Sequence, residues 1–372
     1  MTPRTPFCSI IMPAHQASAL LPRTLGALVA SDYPRDRWEL IVVDDASSDD
    51  SATVAARYAD TVMRLPGKPH GPAYARNRGF EVSRGEIVMF FDSDVVVHSD
   101  TIRCFAEVLV EQSRAGAVFG SYDDTPSDAG FVSQYRNLLH HHVHQQNAGE
   151  VDTFWAGAGA VRRKVFEDAG MYDEWHFARP QIEDIELGSR VRQLGQIILL
   201  HPDIQVTHLK RWTFANVVRT DIRDRGIPWA RLLAHRNAVL TTTTLNLKWT
   251  EKLNVVLVWA GLLLMGAALW QRSFPLLGLA LLCPLVVLAF SLPLLRFFLR
   301  ARGPTFTLRV IPMHLMYYFL NGISFAFGVL LQQTIGAPLP NPTTEAYSEM
   351  GVQRWPPIPS KLRRSSWTAD QE

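Results

Sequence analysis

Two aspartates bracket one serine at the end of an uninterrupted apolar run, Ile87-Val88-Met89-Phe90-Phe91-Asp92-Ser93-Asp94. Five apolar residues are too few to cross a bilayer, and they read as a strand buried on both faces of a parallel sheet. Ligands of open α/β sheets collect beyond the carboxyl ends of such strands. Two carboxylates placed there suit the holding of a divalent cation against phosphate oxygens. A second acidic pair, Asp44-Asp45, closes the apolar run 40–43. A third, Glu183-Asp184, precedes Ile185, Leu187, Val191 and Leu194, whose spacing is helical. A carboxylate in a first helical turn is favoured as an anion by the helix dipole, which suits Asp184 to accept a proton.

These acids need a frame. Strands are expected at 9–13, 39–43, 61–65 and 87–91. Helices are expected through Leu20–Val29, through Val54 and Tyr58 behind the capping run Ser47-Ser48-Asp49, and over 73–83. Strict alternation of strand and helix implies an α/β domain, its strands paired in parallel and helices on both faces. Right-handed crossovers then bring His15-Gln16, Asp44-Asp45 and Asp92-Ser93-Asp94 to one rim. No G-x-G-x-x-G follows the first strand and no Walker sequence is present, so neither a dinucleotide nor a P-loop site is indicated. Carboxylates without a phosphate-cradling glycine loop point to a nucleoside diphosphate gripped by acids and bridged by metal.

In this order and spacing, Ile10-Ile11-Met12-Pro13, Ile41-Val42-Val43-Asp44-Asp45-Ala46-Ser47, Ala75-Arg76-Asn77-Arg78-Gly79 and Phe91-Asp92-Ser93-Asp94 resemble the family-2 inverting glycosyltransferases. The likeness continues through Gly157-Ala158-Gly159-Ala160, Gly170-Met171-Tyr172-Asp173-Glu174 and Glu183-Asp184-Ile185-Glu186-Leu187. It implies a GT-A fold, Rossmann-like with a mostly parallel sheet, over residues 1–212. It also implies that Pro13, Ala14, Asp44 and Asp45 form a nucleotide pocket, with Arg76 and Asn77 against the diphosphate or base. Asp92, Ser93 and Asp94 would meet donor and metal, Asp92 shared with ribose and Asp94 the more direct ligand. His208, in Val206-Thr207-His208, would be a third ligand to Mn²⁺ or Mg²⁺. Gly157 and Gly159 belong to the family's sugar-pocket segment. Asp184 is the implied base and Trp212 a residue near the acceptor; Glu183, counted here with the substrate-binding residues, and Glu186 fall on other faces, and either one of them positions the acceptor or both cap the helix. His208-Leu209-Lys210-Arg211-Trp212 has the spacing of the Q-x-x-R-W motif of processive synthases, but His replaces Gln, which argues against processivity.

His140-His141-His142-Val143-His144 invites a zinc reading. Adjacent histidines on a helix diverge, and no cysteine or acid completes the set, so a helix along an acceptor groove is expected instead.

Lys plus Arg number 37 against 35 acids, so bulk charge points to no nucleic-acid partner. Three scattered cysteines form no disulfide or zinc pattern. The opening Met-Thr-Pro-Arg-Thr-Pro lacks the apolar core of a leader. Apolar residues crowd the second half. Residues 213–250 interleave arginines with an apolar stripe and read as an amphipathic interfacial segment. About three transmembrane helices follow, at 253–270, 274–295 and 311–335, before a polar tail over 337–372. The basic residues Lys248, Lys252, Arg296, Arg300, Arg302 and Arg309 place the catalytic domain on the cytoplasmic side of a cell membrane, with several passes. The expected activity is metal-dependent, non-processive transfer from a nucleoside-diphosphate sugar to a membrane lipid or lipid-linked acceptor. The rival readings are a processive polysaccharide synthase, a non-catalytic membrane scaffold of the same fold, and a nucleotidyltransferase. The last is disfavoured by the absence of a Gly-rich basic first loop.

Overall fold

The computed structural model describes residues 5–239 and 245–338, so the tail expected from 337 lies outside the described residues beyond 338. The chain divides into two compact units. One holds 1–128 and 144–210, the other 129–143 and 211–336. The division therefore falls between Lys210 and Arg211, and one internal stretch of the expected catalytic domain groups with the second unit.

The first unit runs β1 (Cys8–Ala14), α1 (Leu21–Val29), β2 (Trp38–Asp44), α2 (Ser51–Ala55), β3 (Thr61–Arg64), α3 (Pro72–Val82), β4 (Ile87–Phe91), β5 (Val95–Val97), α4 (Thr101–Glu111) and β6 (Ala115–Tyr122). After α5 (Phe131–Gln145), whose residues to Val143 group with the second unit, it continues through β7 (Gly149–Val151), β8 (Ala158–Arg162), α6 (Arg163–Asp168), α7 (Glu183–Gln193) and β9 (Ile197–His208). The strands form one sheet ordered β3-β2-β1-β4-β8-β6-β9-β5, with β7 paired to β9. Pairs β3-β2, β2-β1 and β1-β4 are parallel, with Ala14 opposite Asp44 and Ile11 opposite Phe90, so these strands end along one edge. All five residues of β4 are buried.

Past β4 the sheet is mixed rather than mostly parallel. β8 runs antiparallel to both β4 and β6, and β5 runs antiparallel to β9. The cause lies in the connection after β4. Only Asp92-Ser93-Asp94 separates β4 from β5, far too short for the crossover a parallel neighbour requires. The chain turns away, and β5 pairs with the end of β9 instead, setting Val95 opposite His208.

In the second unit, α8 (Phe214–Arg219) leads through a π-helical turn at 220–226 into α9 (Ile227–His235), followed by α10 (Trp249–Gln271), α11 (Phe274–Phe290), α12 (Leu292–Arg302) and α13 (Pro304–Thr334). Tyr135, Leu138, Trp212, Phe298, Val310 and Met313 are core residues here. Part of the apolar stripe of the basic stretch expected as an interfacial segment is buried inside this unit: Val217, Leu232 and Leu233 are buried, Val218, Ile222, Ile227 and Trp229 are half-buried, and the Ser324 hydroxyl of α13 donates to the Asp221 carbonyl at 3.1 Å. Among the described residues, Trp249–Gln271 and the run Leu292–Thr334 are long and apolar enough to cross a bilayer, and Phe274–Phe290 is a shorter apolar helix. The expected 274–295 helix stops at Phe290, because Ser291 closes it and Pro293 opens α12.

Candidate active site

The rim where β1, β2 and β4 end carries the acids. The Asp94 backbone carbonyl accepts the Leu209 amide at 2.8 Å, and Asp94 Oδ2 lies 3.4 Å from His208 Nε2. The β5–β9 pairing produces this meeting, since it aligns the residue after Asp94 with His208. Tyr122 stacks on the imidazole at 4.3 Å with the rings 10° from parallel, and Trp155 packs edge-on against Tyr122. Burial alone would raise the Asp94 carboxyl, but the His208 hydrogen bond and the His208 and Lys210 charges outweigh it and hold the group below the usual carboxylate range.

Among the described residues no three His, Cys, Asp or Glu side chains converge on one point. Asp94 and His208 are the two expected ligands brought together. A carboxylate and an imidazole fit an ion that takes its remaining oxygens from a diphosphate.

Asp92 is turned elsewhere. Its carboxylate accepts Arg76 Nη2 at 2.6 Å, while Arg76 Nη1 donates to Glu183 Oε1 at 3.1 Å. One buried guanidinium thus bridges the aspartate that ends β4 and the first residue of α7. The Tyr172 ring lies 5.3 Å from this guanidinium. Burial opposes the charge on Arg76, but Asp92, Tyr172, Glu183 and Asp184 outweigh it and keep the side chain cationic. Two buried polar atoms here lack a hydrogen-bond partner, Arg76 Nε and the Tyr172 hydroxyl.

Asn77 serves the neighbouring turn instead of facing outward. Its Nδ2 donates to the Tyr172 carbonyl at 2.9 Å and to Glu174 at 2.7 Å, and its Oδ1 accepts the Tyr172 amide at 3.0 Å. Tyr172 is clamped at both backbone ends and packs edge-on against Phe90.

Asp184 occupies the first turn of α7, partly buried. Its Oδ2 accepts the Ala156 amide at 3.2 Å and its Oδ1 the Ile185 amide at 2.8 Å. Gly188 allows this approach, because a Cβ there would stand 2.3 Å from the Phe154 nitrogen. The Asp92 amide donates to the carbonyl of Gly157, the residue after Ala156, at 3.3 Å. Asp92 and Asp184 therefore meet adjacent residues of one short segment. Glu186, by contrast, forms a fully buried pair with Arg190 and is structural.

At the ends of β1 and β2, Pro13 is partly buried and Ala14 buried, and the chain leaves through left-handed Gln16 and Ala46. Asp44 accepts the Ser47 amide at 3.3 Å and faces Arg64 at 3.4 Å. Asp45 accepts the amides of His70 at 2.8 Å and Gly71 at 2.7 Å, so its carboxylate fastens the 67–72 loop to the rim. Gly71 has φ +97°, and a Cβ on it would meet the Ala178 carbonyl carbon at 2.5 Å. Gly157 and Gly159 leave room for aromatic rings: a Cβ on the first would strike Trp155 at 2.4 Å, and on the second Phe154 at 2.6 Å. Ser93 is partly buried between the two acids. Trp212 belongs to the second unit, buried with Arg136 5.6 Å over its ring. Within α5, His144 Nδ1 lies 3.1 Å from the Gly120 carbonyl, and among the described residues the histidines join no group of three or more His, Cys, Asp or Glu that could hold a metal ion.

Sequence reasoning did not single out Tyr122, Trp155 or Gly71. Its one available signal for Tyr172 was an aromatic residue inside a Gly/Asp/Glu turn.

Residues 9–170 match the family described as Glycosyl transferase family 2. The chain is 27% identical over 210 residues to a probable glycosyltransferase, YdaM, of Bacillus subtilis, covering 53% of this chain and 49% of that protein. It is 29% identical over 242 residues to a beta-monoglucosyldiacylglycerol synthase of Trichormus variabilis, covering 62% and 47%. It is also 24% identical over 181 residues to the glycosyltransferase AglE of Haloferax volcanii, covering 46% and 58%. The chain thus spans about half the length of these curated relatives. Its fold is that of the Pyrobaculum calidifontis mannosyltransferase PcManGT, solved in complex with GDP-Man and Mn²⁺, at TM-score 0.53 and 19% identity over 87% of this chain and 88% of that one.

Proposed function

We propose that the chain, whose residues 9–170 match the family described as Glycosyl transferase family 2, transfers a sugar from a nucleoside-diphosphate donor to a membrane-associated hydroxyl acceptor, with inversion and one sugar per encounter. The observation carrying this reading is the convergence of Asp92 and Asp184 on Ala156 and Gly157, with Arg76 tying Asp92 to Glu183. The acceptor is a lipid or lipid-linked glycan. Long apolar helices follow the domain, and one relative is named a monoglucosyldiacylglycerol synthase. The protein is embedded in the membrane with its catalytic domain cytoplasmic.

Asp184 takes the acceptor hydroxyl proton. The freed oxygen bonds to the anomeric carbon, and the bond from that carbon to the diphosphate oxygen breaks, its electrons leaving with the nucleoside diphosphate. Two backbone amides fix the Asp184 oxygens, so the base is oriented before substrate arrives. Glu183, held by Arg76, positions the acceptor beside it. Pro13, Ala14, Asp44 and Asp45 shape the nucleotide pocket, Asp45 by holding the 67–72 loop, while Asp92, Ser93, Gly157 and Gly159 border the donor sugar and ribose. Asn77 contributes through Tyr172. A Mn²⁺ or Mg²⁺ ion held by Asp94 and His208 would neutralise charge on the departing diphosphate.

Thermal denaturation of the full chain with UDP, GDP, dTDP or CDP, each with and without Mn²⁺, tests the donor class. One nucleotide raising the midpoint only with metal supports the reading. A flat panel with no response to any of them contradicts it and favours a scaffold.

A further inference from the structure

Between residues 252 and 338 there is no acidic side chain. Four of the six cations there, Arg296, Arg300, Arg302 and Arg309, fall within fourteen positions. The structure gives this stretch a form the sequence did not show. Residues 292–302 form a helix of their own, α12, opened by Pro293 and stopped by Gly303 at φ +80°.

The helix has two unlike faces. Leu294 and Phe298 are buried, the latter completely, with Phe298 stacked on Tyr135. Helical spacing puts Leu292, Arg296, Leu299 and Arg300 on the opposite side. There Leu292 and Leu299 are nearly half exposed, and both arginines are exposed. Just beyond the stop, Leu308 is 68% exposed, and Arg309 sits 4.1 Å over the Phe131 ring. Exposed leucines interleaved with arginines that pair with no acid among the described residues are costly in water, yet they match a bilayer interface, where leucines enter the acyl boundary and guanidinium groups meet phosphate. In the segment 213–236, by contrast, Val217, Leu232 and Leu233 are already buried.

We propose that the outer face of α12 and the start of α13, centred on Arg296 and Arg300, binds the headgroups of anionic phospholipid. This rests on the reading of the helical unit as membrane-embedded. The face seats this unit at the lipid surface and makes its lipid environment selective.

The test is to reconstitute the full chain into vesicles of equimolar phosphatidylcholine and phosphatidylglycerol, extract it gently, and measure the ratio of the two lipids retained. Wild type should retain phosphatidylglycerol preferentially. The double variant Arg296→Gln/Arg300→Gln, which leaves Leu294 and Phe298 intact, should lose that preference by roughly tenfold. Arg272→Gln, outside the patch, should keep it. Equal retention of both lipids by wild type, or an unchanged preference in the double variant, overturns the proposal while leaving membrane embedding intact. A preference abolished by inorganic phosphate, but not by chloride at the same ionic strength, would mean a discrete phosphate pocket and also overturn it. Recovery of the protein from the aqueous phase with neither lipid would overturn the embedded reading itself, and this proposal with it.

Discussion

Asp92 and Glu183 share a single buried guanidinium, with Arg76 standing 2.6 Å from one carboxylate and 3.1 Å from the other. The link joins the loop after β4 to the first turn of α7. The two carboxylates therefore cannot shift independently.

Replacing Arg76 should be costly in a diagnostic way. Arg76→Ala leaves the buried Glu183 carboxylate without its cation, which costs about 3–5 kcal/mol for a pair of this kind. Arg76→Lys keeps the charge but has no fork to span two acids. Chemical denaturation should show the alanine variant strongly destabilised. The lysine variant should be nearer wild type in stability yet at least tenfold slower in sugar transfer. Equal activity of Lys and Arg variants would show that bridging is irrelevant.

The pairing of Asp94 with His208 leads to a binding prediction. Asp94→Ala and His208→Ala should each remove most of the extra thermal stabilisation that Mn²⁺ adds to nucleotide. For a ligand at a hundred times its Kd, complete loss is worth about 2.7 kcal/mol. Retention of the full metal effect in both variants would place the ion elsewhere.

Much of this arrangement was legible beforehand, and the reason is local. β2 and β4 hold continuous apolar runs closed by acids, and β1 an apolar run closed by Pro13, so strand, burial and rim position followed from pattern alone. What the pattern could not convey was pairing beyond β4. β8 reads Ala-Gly-Ala-Val-Arg, too small in its side chains to announce a central strand, and β9 passes through Pro202 without breaking. The detail of the site was hidden for a similar reason. Asn77 and Asp45 have types that suit a nucleotide, yet both are engaged by backbone groups distant in sequence, Tyr172 for one and His70 with Gly71 for the other.

Gly71 offers a test of that hidden loop fastening. Gly71→Ala imposes a left-handed strain of about 1–3 kcal/mol and drives a Cβ into the Ala178 backbone. Nucleotide-dependent stabilisation should weaken along with the melting temperature, whereas Gly67→Ala, equally left-handed but with open space around it, should cost only the strain.

Stability should also depend on pH through His98 and Asp123, whose side chains meet at 3.3 Å. The hydrogen bond to Asp123 raises the His98 pKa. Burial works to raise Asp123, but His98 and Thr207 overcome it and lower the carboxyl. A raised histidine contributes fully below its unfolded pKa of about 6.5 and fades as pH climbs through the folded value. A lowered carboxylate contributes above about 3.9 and fades as pH falls through its folded value. The midpoint gap between wild type and His98→Gln should thus be widest near pH 5–6 and narrow above about pH 8. A gap unchanged over that range would show that the pair is not ionised together.

The central claim is that Asp184 deprotonates the acceptor while the acids at the ends of β2 and β4 hold the donor. It is tested most directly by sugar transfer in membranes containing wild type, Asp184→Asn or Asp94→Ala, with nucleotide-dependent stabilisation measured on the same samples. Asp184→Asn should lose about a hundred- to ten-thousand-fold in transfer yet bind nucleotide and Mn²⁺ as wild type does. Asp94→Ala should lose both. Transfer at the wild-type rate by Asp184→Asn would contradict the account.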